Sequence, residues 1–304
     1  MSDYVLSCCS TVDLTAEYFA MREIHYVCFH YELDGKQYRD DFGQSMAMCD
    51  FYKAMDDGAM TRTSQVSVGE YMEYFEPFLK EGKDILHVTL SSGISGTYNS
   101  ACEAARELAE DYPDRKIYVV DSLGASSGYG LLMVGLADQR DAGASLEEVR
   151  DWAMQMRLRV QHWFFSTDLK YYIRGGRISR TAGFFGGLLG ICPLLDVDGE
   201  GKLVPRFKIR GRRKVIKAIV DQMENYAANG TAYDGKCYIS HSADMEDAKA
   251  VAELVEKTFP KLDGRVRIFD IGTTIGSHTG PGTVALFFWG TERDIQELPS
   301  GEET

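Results

Sequence analysis

The amino-acid sequence predicts an α/β fold built from two domains, the first with a parallel sheet. Its 304 residues exceed the usual size of one hydrophobic core, which suggests two domains of about 150 residues each. In the first half, short β-rich apolar runs alternate with helical stripes, as in parallel sheets with crossover helices. Near residue 161 the pattern changes, and a hairpin signature follows. We therefore expect one domain at residues 1–160 and a second at residues 161–304.

Strand and helix patterns alternate in the first half of the chain. Apolar runs predict strands at residues 4–8, 25–31, 85–90 and 116–120. Two of the predicted helices begin with a capping box, formed by Ser67 with Glu70 and by Ser145 with Glu148. Residues 61–65 are predicted as a loop. Because most of these strands precede a helix, we expect a parallel sheet that is covered on both faces.

The second half contains further predicted strands and one hairpin. The strands are expected at residues 163–166, 192–197, 203–209, 237–240, 265–271 and 284–289. Between the second and third of them, Asp-Gly-Glu-Gly is a hairpin turn signature. Residues 272–283, with several glycines and Pro281, predict a compact loop. The apolar stretch at residues 183–191 is too short to cross a membrane, so we expect it to line a pocket or an interface.

Composition and charge exclude several functional classes. The formal net charge is −13 and the pI is near 5.0, which argues against a general affinity for nucleic acid or for anionic membranes. The seven cysteines are odd in number and include no Cys-x-x-Cys, as is typical of a reducing compartment. No apolar run approaches the roughly 20 residues that span a bilayer. We therefore expect a cytoplasmic protein without stable membrane insertion.

Metal and nucleotide sites have little support in the sequence. His25 and His30 fall on one predicted strand at an odd offset, which would point them to opposite faces. No carboxylate pair or His-x-x-x-His accompanies them, so no metal site is expected. Neither the Gly-x-x-x-x-Gly-Lys-Ser/Thr nor the Gly-x-Gly-x-x-Gly phosphate-binding motif is present in the expected context. No cofactor is therefore expected.

The turn at residues 91–97, Ser-Ser-Gly-Ile-Ser-Gly-Thr, carries the clearest functional signal. It joins a buried strand to a helix, so free backbone N–H groups and several hydroxyls could together hold a carboxylate or a phosphate. An ordinary turn whose serines cap the helix is the equally open alternative. A serine hydrolase is a third hypothesis, with Ser95 activated by His278 or His241 and by Asp121. The turn does not complete the Gly-x-Ser-x-Gly elbow around Ser95, because Thr97 stands where the last glycine would be.

Residues 206–217 form a basic segment in an otherwise acidic chain. Its cationic residues are Arg206, Lys208, Arg210, Arg212, Arg213, Lys214 and Lys217. A solvated face at the start of a helix is one interpretation. The other is a docking patch for an acidic or phosphate-carrying partner, attracted by the local field.

Six short motifs occur in order along the chain. They are Ser-Thr-Val-Asp-Leu from Ser10, Thr-Ser-Gln-Val-Ser from Thr63, Ser-Ser-Gly-Ile-Ser-Gly-Thr-Tyr-Asn-Ser-Ala from Ser91, Arg-Gly-Gly-Arg-Ile from Arg174, Asp-Gly-Glu-Gly-Lys-Leu from Asp198 leading to Lys-Ile-Arg at Arg210, and Gly-Ser-His-Thr-Gly-Pro-Gly from Gly276. With these motifs the chain resembles the DegV family of bacterial fatty-acid-binding proteins over nearly its whole length. One departure is Cys9, because family members usually carry an aspartate there.

The resemblance implies a DegV-like two-domain α/β fold. The N-terminal domain would be a three-layer α/β/α structure with a parallel sheet, and the C-terminal α/β domain would have a mixed sheet. A long-chain fatty acid would lie between them, with its carboxylate held by Thr63, Ser95 and His278. The backbone N–H of Gly96, at a helix start, could add a further hydrogen bond. Candidate residues lining the acyl tunnel are Ile94, Phe184, Phe185, Leu188 and Leu189.

The resemblance also implies a partner. Family members of known role hand the bound acyl carboxylate to a separate ATP-dependent fatty acid kinase subunit, which makes the acyl phosphate. This chain would then be a ligand-binding carrier and not an enzyme. Arg210 matches the family arginine that is implicated in docking to the kinase. The alternatives are a serine hydrolase of acyl esters that uses Ser95, and a lipid-sensing regulatory protein without a kinase partner.

Overall fold

A computed structural model of the chain describes residues 4–179 and 190–294, which form three β-sheets surrounded by helices. The strands are β1 (Tyr4–Cys9), β2 (Ile24–Val27), β3 (His30–Leu33), β4 (Lys36–Arg39), β5 (Thr61–Ser64), β6 (Asp84–Thr89), β7 (Ile117–Asp121), β8 (Val160–Ser166), β9 (Ile191–Val197), β10 (Leu203–Arg210), β11 (Tyr238–His241), β12 (Arg267–Asp270) and β13 (Thr283–Trp289). The α-helices are α1 (Ala16–Met21), α2 (Met48–Asp56), α3 (Val68–Lys80), α4 (Thr97–Asp111), α5 (Ser126–Asp141), α6 (Leu146–Met156), α7 (Lys170–Arg174), α8 (Arg212–Tyr226), α9 (Met245–Thr258) and α10 (Thr273–Thr279).

The first sheet is parallel, with strand order β2-β1-β6-β7. Its central strands β1 and β6 are buried almost throughout, as expected for strands that are covered on both faces. Helices α3 and α4 pack against each other beside β6, and α5 packs against α6. The predicted capping boxes are present, at Ser67 with Glu70 in α3 and at Ser145 with Glu148 in α6. The predicted parallel sheet is therefore confirmed.

A small antiparallel sheet, with order β4-β3-β5, corrects two of the predictions. Residues 25–31 are not one strand, because the chain leaves the parallel sheet after Val27 and enters the small sheet at His30. At the break, the N–H of Phe29 donates to Ser10 Oγ instead of to a strand. Residues 61–64 are a strand rather than a loop. Their polar sequence gives no apolar alternation, so the strand depends on pairing with β3.

The third sheet is mixed and six-stranded, with order β10-β9-β8-β13-β11-β12. The predicted hairpin is present, because β9 and β10 pair antiparallel around the turn at Asp198 and Gly201. The predicted compact loop at residues 272–283 is instead largely helical and contains α10. That helix ends at Gly280, which has a φ of +68° and no room for a side chain beside the ring of Tyr171. Glycine frequency alone did not reveal this short helix.

Helix α5 lies between the parallel and the mixed sheets and packs against β8, β11 and β13. Its glycines permit close approach, because a Cβ on Gly130 would lie 2.7 Å from the carbonyl oxygen of Val12. One apolar core extends from the parallel sheet to Phe287 in the mixed sheet, and a second fills the far side of the mixed sheet under α8 and α9. The boundary at residues 160 and 161 stays a prediction. Among the described residues, none of the helices has the length and apolar character required to cross a bilayer.

Two buried carboxyl groups join the N-terminal and C-terminal parts of the chain. Asp13 Oδ1 accepts a hydrogen bond from the N–H of Gly272 at 3.0 Å, and Ser126 Oγ donates to Asp13 Oδ2. Asp40 Oδ1 accepts from Thr273 Oγ1 at 2.9 Å. Burial is the main cause that raises the pKa of Asp13 to about 8, and burial also raises the pKa of Asp40. At neutral pH the Asp13 carboxyl is therefore mostly protonated.

Candidate functional site

A cavity of about 400 Å³ lies between the parallel and mixed sheets. This volume falls within the usual range for small-molecule sites. Its walls are mainly apolar and come from both parts of the chain. The apolar lining residues are Phe29, Leu90, Ile94, Ala125, Phe164, Val197, Leu203, Ile271, Ile275, Ala285 and Phe287. Only Ile94 among them was predicted from the sequence, because the others belong to strands and turns that are far apart in the chain.

The lining also includes three of the residues predicted to hold a carboxylate, Thr63, Ser95 and His278. Thr63 Oγ1 lies 2.8 Å from Nε2 of His278. Strand β5 supplies Thr63, helix α10 supplies His278, and the turn before α4 supplies Ser95. The fold therefore brings these side chains to one cavity. Their role in ligand binding stays a prediction.

The turn at residues 91–97 is shaped partly by the hairpin of the mixed sheet. Ser91 Oγ donates to the carbonyl oxygen of Gly201 at 2.8 Å. A Cβ on Gly93 would lie 2.6 Å from that same oxygen, so a glycine is needed at this contact. Ser95 Oγ accepts a hydrogen bond from the N–H of Thr97 at 3.2 Å. The serine thus supports the helix start, as in the capping interpretation, while its own proton remains available to a ligand.

Gly96 is the N-cap of α4, and no side chain caps the helix from that position. Gly96 is exposed and lies next to two cavity-lining residues, Ser95 and Gln65; Oε1 of Gln65 would lie 2.6 Å from a Cβ on Gly96. Free N–H groups at a helix start favour an anion. Phe184, Phe185, Leu188 and Leu189, which were predicted to line the tunnel, lie outside the described residues.

His278 is held in its neutral form. Burial, together with the nearby charges of Arg177 and Arg174, lowers the pKa of His278 to about 3. Its Nδ1 atom is buried and has no hydrogen-bond partner among the described residues. The ring packs directly on Gly175, where a Cβ would lie 2.1 Å from Nδ1. The imidazole therefore carries one N–H donor and no formal charge.

Arg177 supplies the charge that His278 lacks. Among the described residues that line the cavity, Arg177 is the one arginine, lysine, aspartate or glutamate. Its Nε donates to the carbonyl oxygen of Ile94 at 3.2 Å, and its Nη1 donates to that of Gly175 at 2.6 Å. Burial lowers the pKa of Arg177, but a guanidinium stays protonated at neutral pH. Arg177 was not predicted from the sequence to line the cavity, although the Arg-Gly-Gly-Arg-Ile motif contains it.

The contacts of the described residues do not assemble the triad of a serine hydrolase. His278 Nε2 is engaged with Thr63, not with Ser95. Asp121 Oδ1 accepts from the backbone N–H groups of Ser92 and Leu123. His25 and His30 lie in different sheets, which corrects their predicted placement on one strand. Across the described parts of the chain, no group of three or more His, Cys, Asp or Glu residues could hold a metal ion.

The basic segment is not one continuous patch. Arg206 pairs with Asp196 at 2.8 Å, and Arg212 pairs with Asp244 and Asp247 at 2.5 and 2.6 Å. Arg210 is exposed at the end of β10 and makes no ion pair with the described residues. It stands seven residues after the cavity-lining Leu203, roughly 20 Å along the strand. Arg210 is thus separate from the cavity.

Comparison with known proteins gives a consistent result. Residues 9–291 match the model of a family described as "Uncharacterised protein, DegV family". A DegV domain-containing protein of Clostridium perfringens is 36% identical over 97% of this chain and 100% of its own length. The solved structure of a fatty-acid-binding DegV family protein from Thermus thermophilus matches with a TM-score of 0.84 and 26% identity. The match covers 95% of this chain and 99% of that chain. A stearic acid-binding protein from Eubacterium ventriosum is 26% identical, with a TM-score of 0.81, over 93% of this chain and 97% of that chain.

Proposed function

The chain belongs to the DegV family, and from that premise we propose that it binds a long-chain fatty acid in the cavity between its parallel and mixed sheets. The carboxylate would lie at the end formed by Thr63, Ser95 and His278. Both solved relatives described above bind fatty acids, which supports this ligand class. The observation that carries the proposal is that these three neutral side chains share a cavity with mainly apolar walls, in which Arg177 is the one charged residue among the described lining residues.

A carboxylate that leaves water needs compensating hydrogen bonds. The Ser95 hydroxyl, the Gly96 N–H and either the Thr63 hydroxyl or the His278 ring can donate to its two oxygens. Charge-assisted bonds of this kind are about twice as strong as neutral ones. Arg177 supplies the opposite charge at the cavity wall, and its burial strengthens the attraction to an anion. The geometry therefore suits one monovalent anion.

The apolar walls suit an acyl chain. Each buried CH₂ group contributes about 0.8 kcal/mol, so a long chain gains roughly 10 kcal/mol before the entropic costs of binding. Phe164, Phe287, Val197 and Leu203 come from four strands of the mixed sheet, so the wall is a rigid surface. Ile94, in the turn that precedes α4, adds a further apolar side chain to the cavity wall.

We further propose that the chain is a carrier that presents the carboxylate to a separate ATP-dependent kinase in the cytoplasm. This step rests on the sequence resemblance, including Arg210 in the Lys-Ile-Arg motif. The chain itself has no recognised nucleotide-binding motif, as noted above. The proposed docking residue and the proposed carboxylate site are separate, so the two functions can be tested independently.

Mass spectrometry tests the ligand directly. Under native conditions, the purified protein should show an added mass equal to one fatty acid, which organic extraction removes. The delipidated protein should then bind stearate with a stoichiometry of one in a calorimetric titration. Protein that carries no acyl mass and also fails to bind added fatty acids of several chain lengths would contradict the proposal.

An enzymatic assay separates the carrier from its alternatives. With ATP and the fatty acid kinase subunit of the same organism, the loaded protein should support acyl phosphate formation. Lipid binding without any such transfer would instead favour a lipid-sensing regulatory protein. Hydrolysis of acyl esters that is lost in Ser95→Ala would favour the serine hydrolase.

A further inference from the structure

Behind the proposed carboxylate site, a chain of hydrogen bonds runs into the core of the parallel sheet. The phenol oxygen of Tyr71 lies 2.8 Å from Oγ1 of Thr97 and 3.3 Å from Sγ of Cys9. Cys9 Sγ in turn lies 3.8 Å from Nε2 of His87. All four side chains have 0% of their surface exposed. Because no water can replace a lost partner there, each of these groups depends on its neighbours.

Thr97 connects this network to the cavity. It is the first residue of α4, and its backbone N–H donates to Ser95 Oγ at 3.2 Å. A serine hydroxyl can accept two hydrogen bonds but can donate only one. While Ser95 accepts from Thr97, its single proton can be directed towards the cavity. Thr97 is therefore held from two sides, by Ser95 at its backbone and by Tyr71 at its side chain.

We propose that Tyr71 is a positioning residue for the fatty acid carboxylate, because it fixes Thr97 and thereby the direction of the Ser95 hydroxyl. This inference rests on the proposed function of the same site. Without the phenol oxygen, the buried Thr97 hydroxyl would lack its partner from α3. The hydroxyl would keep only weaker partners such as the Cys9 thiol, so the first turn of α4 should be held less firmly. A shift of that turn would move the N–H of Thr97 and thereby redirect the hydroxyl of Ser95.

The ring and the hydroxyl of Tyr71 can be separated experimentally. The ring packs against Phe75 and His87, with centroids 5.4 and 5.2 Å apart, and Tyr71→Phe preserves that packing. Tyr74 on the same helix provides a matched control. Its hydroxyl lies 2.8 Å from Ser7 Oγ, at the end of the network away from Thr97. Tyr74→Phe therefore removes a comparable buried hydroxyl without touching the α4 start.

The test compares a charged ligand with an uncharged one of the same length. Stearate should bind Tyr71→Phe about tenfold more weakly than the wild type, as expected for one impaired hydrogen bond to a charged group. Methyl stearate relies on the apolar walls, so its affinity should change less than about twofold. Tyr74→Phe should leave both affinities within about twofold of the wild type.

A second pair of variants keeps the inference testable if Tyr71→Phe does not fold. Thr97→Val removes the hydroxyl at constant shape and should show the same selective loss of stearate affinity. Thr97→Ser keeps the hydroxyl and should bind stearate as the wild type does. Equal losses for acid and ester would show a merely structural role and overturn the inference. Unchanged stearate binding in Tyr71→Phe, or the same selective loss in Tyr74→Phe, would overturn it too. A wild-type protein that binds no stearate would instead refute the proposed function itself.

Discussion

Thr63 Oγ1 and His278 Nε2 lie 2.8 Å apart, although 215 residues separate them in the sequence. One belongs to an edge strand of the small sheet, and the other belongs to α10, a seven-residue helix that packs on α7 and on the small sheet. Arg174 reinforces the contact, because its Nη2 lies 3.4 Å from Oγ1 of Thr61 on the same strand as Thr63. The proposed carboxylate site thus depends on how the two parts of the chain meet.

Removal of the two predicted hydroxyl donors should weaken fatty acid binding. Thr63→Val and Ser95→Ala should each reduce the affinity about tenfold or more, because each removes a hydrogen bond to a charged group worth about 1.5–3 kcal/mol. Calorimetric titration with stearate measures the effect. Ser92→Ala is the control, because Ser92 is an exposed serine in the same turn. Its backbone N–H donates to Asp121 Oδ1, and the substitution leaves this hydrogen bond intact. An unchanged affinity in the double variant would place the carboxylate elsewhere.

Gly175→Ala should displace His278 from the site. The backbone at Gly175 has a φ of −75°, which alanine tolerates, so the expected defect comes from the Cβ, which would lie 2.1 Å from Nδ1. We expect stearate affinity to fall about tenfold, because the Thr63 and His278 contact is broken. Gly69→Ala is the control, because a Cβ there meets nothing within 4 Å. Equal affinities in the two variants would show that the ring position is unimportant for binding.

Arg210→Ala should separate partner docking from lipid binding. Arg210 lies roughly 20 Å along β10 from the cavity wall, so stearate affinity should not change. Acyl phosphate formation at low carrier concentration should fall about tenfold if Arg210 is a central contact of the kinase. Arg265→Ala removes an equally exposed cation that is paired with Glu256 and serves as the charge control. A normal rate with Arg210→Ala would reject the docking role.

The buried Asp13 should make the protein less stable as the pH rises from about 6.5 to 8. Its folded-state pKa is about 8, against an ordinary value of 3.8, so only the folded protein holds this proton in that range. The free energy of unfolding should therefore fall with rising pH, by up to roughly 1.4 kcal/mol per pH unit. Below pH 6.5, the contribution of His278 has the opposite sign. Its pKa is about 3 in the folded protein, so only the unfolded chain binds a proton at this histidine. This contribution to the free energy of unfolding therefore falls as the pH falls.

Chemical denaturation at several pH values measures this slope. Asp13→Asn imitates the protonated carboxyl and should flatten the slope between pH 6.5 and 8. Asp151→Asn, which removes an exposed partner of Arg150, should keep the wild-type slope. Identical slopes in the wild type and Asp13→Asn would contradict the shifted pKa.

The sequence predicted those elements whose signal is local. Apolar runs revealed the buried central strands β1 and β6 and the partly buried edge strand β7. Turn chemistry revealed the hairpin of β9 and β10. Strand β5 was missed, because its Thr-Arg-Thr-Ser sequence forms a strand only through pairing with β3. Helix α10 was missed for a similar reason, since it packs on α7 and on the small sheet.

For the site, the sequence alone determined the family and the candidate residues Thr63, Ser95 and His278, because motifs preserve residue identity and spacing. It could not determine which side chains meet. Arg177 became a site residue, and Arg206 and Arg212 became ion-pair partners, only when the tertiary structure set the distances between atoms. The protonation of Asp13 and His278 was likewise decided by burial and neighbouring charges, which a sequence does not contain.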